Sequence, residues 1–284
     1  MVHNLALSGG GVHVMAFIGS LRVMEERGLL RNVKQVVGAS AGSLLALMLA
    51  LGFEVADIGS FVREKLMNEK SFKISLKNAW KLTQTFGLDE GENIAEMIAA
   101  IFEKMRVDPD ITFIELAKLT GKNLVVTVAN VNRERVEFMS VDTTPELRVR
   151  TAIRASTSIP VLYQPVLYKE EYYVDSLFFN NFPMEFFKGW SVEKHTVGLN
   201  VVVRKTEIRT IWDFFRNLFH GTVHSRVDME HEMICEVDCT EITNFDVRKM
   251  RFDLTPANFE RLFALGESAA ERFCDRMRLN SQTA

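Results

Sequence analysis

Residues 36–44 read VVGASAGSL, and the fold turns on how that stretch is read. A β-branched pair runs into Gly38, small residues flank Ser40, Gly42 follows, and the apolar run LLALMLAL occupies 44–51. A strand ending in G-x-S-x-G and handing over to a helix leaves no room for side chains beside the serine. The plain reading is a tight turn. The sharper one is a strained elbow that projects the Ser40 oxygen at a helix N-terminus, where backbone N–H groups favour developing negative charge. Ala41, the residue after the serine, then joins the candidate oxyanion and substrate-binding set.

Outward from the elbow, the chain alternates between strand and helix patterns. Asn4–Ser8 (NLALS) reads as a short strand breaking into Gly9-Gly10-Gly11. Val12–Arg27 carries apolar residues at helical spacing and stops at Gly28. Val33–Val37 and Ser43–Leu51 form the strand and helix around the elbow. Helical patterns follow at Val55–Met67 and Glu92–Met105, with a loop or helix over 71–88. Thr112 and Glu115 make a capping box for a helix ending near Gly121. Asn123–Ala129 is a buried strand and Arg135–Val141 its hairpin partner. Thr144-Pro145-Glu146 is expected to open a helix. Tyr168–Val174 and His195–Val203 read as strands, and Ala257–Leu279 as a terminal helix. This alternation predicts an α/β sandwich around a mostly parallel sheet.

The 284 residues are 47% hydrophobic and 25% charged, which is globular composition with ample length for a large core. No linker, repeat or low-complexity tract forces a division. A core over 1–203 with an extension over 204–284 packed on the same domain is the expected organisation. A net charge of −3 gives no electrostatic case for nucleic acid. Cys235, Cys239 and Cys274 are few and odd in number, as in a reduced intracellular protein. The N-terminal stretch lacks a basic region and is too polar for a signal peptide. The run of about ten apolar residues after the elbow is half of a membrane span, so a buried helix is expected. A cytoplasmic location follows as the expectation, with peripheral membrane contact left open.

Gly9-Gly10-Gly11 forms a second constellation. Three consecutive glycines offer N–H donors with no side chain in the way, as an oxyanion or a phosphate requires. No Lys-Ser/Thr follows, and Val14 stands where a dinucleotide loop needs its last glycine. A plain strand–helix turn stays open. For a base, a hydrolase triad would use a late histidine, but His195 opens a buried strand, and His220, His224 and His231 lie on an expected surface helix. Asp175, at the end of an apolar strand before a polar, Pro-containing loop, sits where α/β sites collect their groups. A turn-capping role is the alternative. His231, Cys235 and Cys239 share one face of that helix pattern but lack a fourth ligand, so no metal and no cofactor is expected.

Gly9–Gly11, Gly19, the Gly38–Gly42 elbow, ASTSIPVLYQP (155–165) and YVDSLFFNNFP (173–183) resemble, in order and spacing, the patatin-like phospholipases. The resemblance implies a patatin-like three-layer sandwich and hydrolysis of lipid acyl esters by a Ser-Asp dyad without histidine. It carries over Ser40 as nucleophile, Asp175 as base, Gly9, Gly10 and Gly11 as the oxyanion loop, and Asn181 and Pro183 as structural residues. An unperturbed carboxyl titrates near 3.9, so Asp175 is expected to be ionised at neutral pH and a feeble base. The chain departs from the family at His13 and Val14, where a basic residue and a glycine are usual. It departs again at Ser176 and Leu177, where Gly-Gly or Gly-Ala usually follows the aspartate. These departures motivate a competing reading, a catalytically weak or silent lipid-binding or scaffold protein. A soluble carboxylesterase or thioesterase with a histidine triad is a third.

Two further stretches stand out. Six Lys/Arg against two Glu over 63–82, interleaved with Phe72, Ile74, Leu76, Trp80 and Leu82, suit either an anionic membrane or a solvated helix face. Ile208–His220 presents an apolar surface suited to the core or to a second subunit.

Overall fold

The strands nearest the centre are short runs of small and branched apolar residues, buried along most of their length, as a sheet covered on both faces requires. The computed structural model describes residues 2–66, 74–76, 80, 82–187, 195–203, 208, 233–242, 245–246, 251–252 and 254–283. Within them β1 (Asn4–Leu7), β2 (Gln35–Ala39), β4 (Asn123–Asn130), β9 (Thr196–Val202) and β10 (Ile234–Asp238) pair in parallel in the order β10-β9-β1-β2-β4. Three antiparallel strands complete the sheet: β5 (Arg135–Met139), β7 (Val166–Tyr168) and β8 (Glu171–Val174). The result is a mixed, mostly parallel α/β sandwich. Among the described residues, no helix is long and apolar enough to cross a membrane.

Two helices follow the first two strands along the chain. A 3-10 turn (Gly11–Met15) leads into α1 (Ala16–Glu26), and α2 (Ala41–Leu51) follows the elbow; α1 buries all of its apolar side chains and α2 most of them. Helices α3 (Val55–Leu66), α4 (Leu82–Thr85), α5 (Glu92–Met105), α6 (Phe113–Thr120) and α7 (Val149–Ser156) come next. The capping box of α6 forms as its Thr112 and Glu115 imply, and left-handed Gly121 ends the helix. The last helix, α8 (Pro256–Thr283), packs against α1. A Cβ at Gly19 would run into the carbonyl of Phe263 and one at Gly266 into the carbonyl of Ala16, so both glycines are required for that approach. The Ser20 hydroxyl donates to the Gly266 carbonyl at 2.8 Å.

Several sequence expectations are corrected. The helix expected at Thr144-Pro145-Glu146 starts only at Val149. Residues 145–149 instead bond across to 111–114: Ile114 N–H to the Pro145 carbonyl, Phe113 N–H to Leu147 and Val149 N–H to Ile111. The strand expected over Tyr168–Val174 is a hairpin, β7 and β8, turned by Lys169 and Glu170 at positive φ. The 71–88 region contributes β3 (Gly87–Asp89), which pairs with β6 (Val161–Tyr163) as a separate two-stranded ribbon. A second small ribbon joins β11 (Phe245–Asp246) to β12 (Arg251–Phe252). Cys235 lies in strand β10, not on a helix, and all three cysteines are free and buried. Lys70, Lys73, Lys77 and Lys81 of the basic stretch, residues 209–220, and His220, His224 and His231 lie outside the described residues.

Strand register places the site. β5 occupies one edge of β4 along Val126–Asn130. On the other edge β2 pairs with Asn123–Thr127 and β8 with Ala129 and Asn130. β2 runs with β4 and β8 against it, so the two meet end to end along one edge. The residue after β2 is Ser40, and the residue after β8 is Asp175.

Candidate active site

Ser40 caps α2 with φ 52° and ψ −131°, a positive-φ conformation that side chains rarely adopt. Such a residue costs on the order of 1–3 kcal/mol and persists only where its surroundings enforce it. Here they do. The Ser40 N–H donates to the Ser156 hydroxyl at 2.9 Å, and that hydroxyl donates to the Thr127 carbonyl at 2.7 Å. The Ser40 carbonyl accepts from both the N–H and the hydroxyl of Ser43. A Cβ at Gly38 would sit 2.6 Å from the Gly42 carbonyl oxygen, and one at Gly42 would strike the Ser8 carbonyl. The two glycines of the motif are therefore demanded by backbone contact.

The Ser40 hydroxyl donates to Asp175 Oδ2 at 2.5 Å. The other carboxylate oxygen accepts the Leu177 N–H at 2.9 Å, and the Asp175 N–H donates to the Ser158 carbonyl. Asp175 thus caps a 3-10 turn and holds the serine at once. It is fully buried, and burial pushes its carboxyl up to about 7, against the smaller lowering effect of the Ser40 and Leu177 bonds. Against the expectation of an ordinary, feebly basic carboxylate, burial makes the group a stronger proton acceptor.

The glycine loop divides its labour. The Gly9 N–H is occupied by the Asn181 carbonyl at 2.9 Å, so Gly9 is not an oxyanion donor. Its missing side chain makes room instead, because a Cβ there would meet both Asn181 and Ser40. Asn181 also donates from its side chain to the Gly9 carbonyl at 3.2 Å, which gives it a positioning role. The Gly10 carbonyl accepts from His13 N–H and closes the turn. Gly11, at φ 56°, is the first residue of the 3-10 turn, and Ala41 is the first residue of α2. N–H groups in a helical first turn have no acceptor within the helix. Gly11 and Ala41 border the same cavity as Ser40.

That cavity is apolar. Met15, Leu44, Met48, Met97 and Ile101 line it, as do Ile159 and Tyr163. Methionine side chains adapt to irregular apolar shapes, which suits a flexible hydrocarbon guest.

Both departures from the family pattern have local explanations. His13 is buried, and its Nε2 lies 2.7 Å from the Ile242 carbonyl, which can only accept, so that nitrogen carries the proton. The ring ties the 3-10 turn to the segment after β10 and is not a solvent-facing charge. Ser176 follows Asp175 inside the 3-10 turn and is not among the residues with positive φ, so glycine is unnecessary there. His3 and His195 stack at a centroid distance of 5.1 Å beside the N-terminal ends of β1 and β9, opposite the carboxyl ends that carry Ser40. Ser156 escaped the sequence reading, although it sits inside the quoted ASTSIP stretch.

A sequence model of the patatin-like phospholipase family matches residues 5–188. The chain is 30% identical to an uncharacterised protein of Acanthamoeba polyphaga mimivirus, over 93% of this chain and 91% of the relative. It is 23% identical to a protein of Invertebrate iridescent virus 6 named as a probable lipid hydrolase, over 86% and 85% of the two chains. Among solved structures it is similar to VipD from Legionella pneumophila, with a TM-score of 0.64 at 18% identity, over 96% of this chain and 67% of that one. It is also similar to ExoU, solved with SpcU from the type III secretion system of Pseudomonas aeruginosa, with a TM-score of 0.52 at 17% identity. That match covers 98% of this chain and 52% of the other, so this chain spans about half its length. At these identities the structural likenesses speak to the fold.

Proposed function

Because the chain belongs to the patatin-like phospholipase family, we propose that it hydrolyses acyl ester bonds of lipids through a Ser40–Asp175 dyad. The observation that carries this reading is the 2.5 Å hydrogen bond from a strained, elbow-borne serine to a buried carboxylate beside an apolar cavity. In the reaction Asp175 accepts the Ser40 proton as Oγ attacks the ester carbonyl. The N–H groups of Gly11 and Ala41 hold the tetrahedral oxyanion, with Gly10 shaping the loop. Collapse expels the alcohol, which takes the proton from Asp175, and leaves the acyl group on Ser40. Water then gives a proton to Asp175 and attacks the acyl-enzyme. The second collapse releases the carboxylic acid and restores Ser40. The acyl chain occupies the methionine-lined cavity, and no step needs a metal.

The test is labelling by an alkyl fluorophosphonate together with hydrolysis of a soluble short-chain ester. Wild type is expected to do both and Ser40→Ala neither. Undiminished turnover by Ser40→Ala would refute the nucleophile. Retained activity in Asp175→Asn, with loss on removal of a single histidine, would favour the triad of a conventional esterase.

A further inference from the structure

The ribbon of β3 and β6 lies at the edge of the cavity and carries apolar side chains on its outside. Val161 stands between Ile159 and Tyr163, both of which line the cavity beside Ser40. Val161 pairs in register with Gly87, and Phe86 is the neighbour of Gly87 in the chain. The Phe86 ring meets the Tyr172 ring edge-on at 5.6 Å. Tyr172 in turn is the cross-strand partner of Leu167. Phe86, Tyr172 and Leu167 thus lie side by side, and Val161 stands on the strand paired beside them. Their exposure is high for bulky apolar residues: 54% at Phe86, 51% at Val161 and 60% at Leu167. Leu76, also exposed, follows Ser75, whose N–H bonds to Asp89 at the end of the same ribbon.

Strain marks the same place. Phe86 and Val161 have φ of 57° and 72°, a conformation that is an outlier for bulky and β-branched residues. Local propensity would put neither residue there, so the backbone holds two apolar side chains outward against both conformational preference and hydration. The ribbon that does so is firmly anchored. Arg154 of α7 donates to the Glu90 and Gln164 carbonyls at its two strand ends, and Gln164 N–H bonds to the Asp89 carbonyl. On the neighbouring strands Arg133 pairs with Glu171 and Arg135 with Glu137, while Lys169 at the hairpin turn lies over the Tyr168 ring.

We propose that Phe86, Val161, Leu167 and Tyr172 form an interfacial docking surface that seats the cavity mouth on a lipid bilayer. The inference rests on the lipid-ester reading above, since an ester buried in a bilayer reaches Ser40 only if the mouth of the cavity meets the lipid surface. Continuity with the cavity wall at Ile159 and Tyr163 gives the patch its place. The patch side chains carry no charge, so the attraction is apolar, the surface fits zwitterionic lipid and binding resists salt.

The test is co-sedimentation with phosphatidylcholine vesicles, in the Ser40→Ala background so that turnover does not alter the lipid. The parent is expected to bind with little change between low and high salt. Leu167→Asp and Phe86→Asp are each expected to lower the partition coefficient about tenfold or more, as loss of one buried apolar side chain implies. Leu167→Trp is expected to raise it, which keeps the test decisive if an Asp variant fails to fold. With Ser40 restored, Leu167→Asp is expected to keep wild-type turnover of a soluble ester and lose turnover of vesicular lipid. Absence of binding by the parent, binding unchanged in the Asp variants, or binding abolished by salt would overturn the proposal. So would a dimer that Leu167→Asp dissociates without affecting vesicle binding, which would assign the face to a second copy of the chain. Vesicle binding without soluble-ester turnover by the wild type would count against the hydrolase reading and leave the docking surface standing.

Discussion

At the residue scale the role we propose for Asp175 as base and its burial in the fold have opposing pH dependences. Its carboxyl is raised by burial to about 7. Proton abstraction needs the ionised form, so kcat/KM on a soluble ester is expected to rise with pH through a limb near 7. Asp175→Asn is expected to lose the limb and about 10²–10⁴-fold in rate. Stability moves the other way. Between about 4, where the unfolded carboxyl titrates, and about 7, the folded state binds more protons than the unfolded state. Stability therefore falls as pH rises across that window, and denaturant midpoints at pH 5 and pH 8 are expected to differ more in wild type than in Asp175→Asn. Ser156 is the second informative residue, because its hydroxyl holds the elbow N–H. Ser156→Ala strands that buried N–H, a loss of about 1–3 kcal/mol. The expected result is a lowered thermal midpoint and a kcat reduced roughly tenfold or more with little change in KM, read from steady-state kinetics.

At the element scale the packing of α1 on α8 offers the sharpest prediction. Gly266 lies against the Ala16 carbonyl with no room for a methyl group. Gly266→Ala must push the helices apart and break the Ser20 bond, an expected loss of about 3 kcal/mol or more, measurable by chemical denaturation. Gly121→Ala is a control of a different kind. It also has positive φ but faces open space, so its cost is backbone strain alone, about 1 kcal/mol. The elements that eluded the sequence are equally specific. β3 and β6 are three residues each, and Gly87 finds Val161 far along the chain. No local period betrays so short and distant a pairing. The β7–β8 turn is made by Lys169 and Glu170, which lack the Gly or Asn that marks such turns.

At the scale of the whole molecule, the C-terminal residues share in the sheet and the core. β10 extends the sheet beyond β9, and α8 covers α1. We propose that 1–203 and 204–284 fold as one unit. A chain ended after Val203 is expected to lose the near-ultraviolet circular dichroism of packed aromatics and any cooperative thermal transition. A truncated protein that unfolds cooperatively and hydrolyses a soluble ester would refute that.

The fold class, Ser40 at the elbow, the glycine loop and the position of Asp175 were all legible in the sequence, because each depends on short-range chemistry. Small residues permit close backbone approach, apolar runs mark buried strands, and an acid at a strand end marks a loop that can join a site. The tertiary structure decided the rest. Ser40 and Asp175 meet because β2 and β8 abut along one edge of β4, a consequence of strand register between distant segments. The same packing removes water from Asp175 and so sets its basicity, gives the Gly9 N–H to Asn181, and turns His13 inward to Ile242. Burial and partnership are properties of the assembled chain, and no local run of residues contains them.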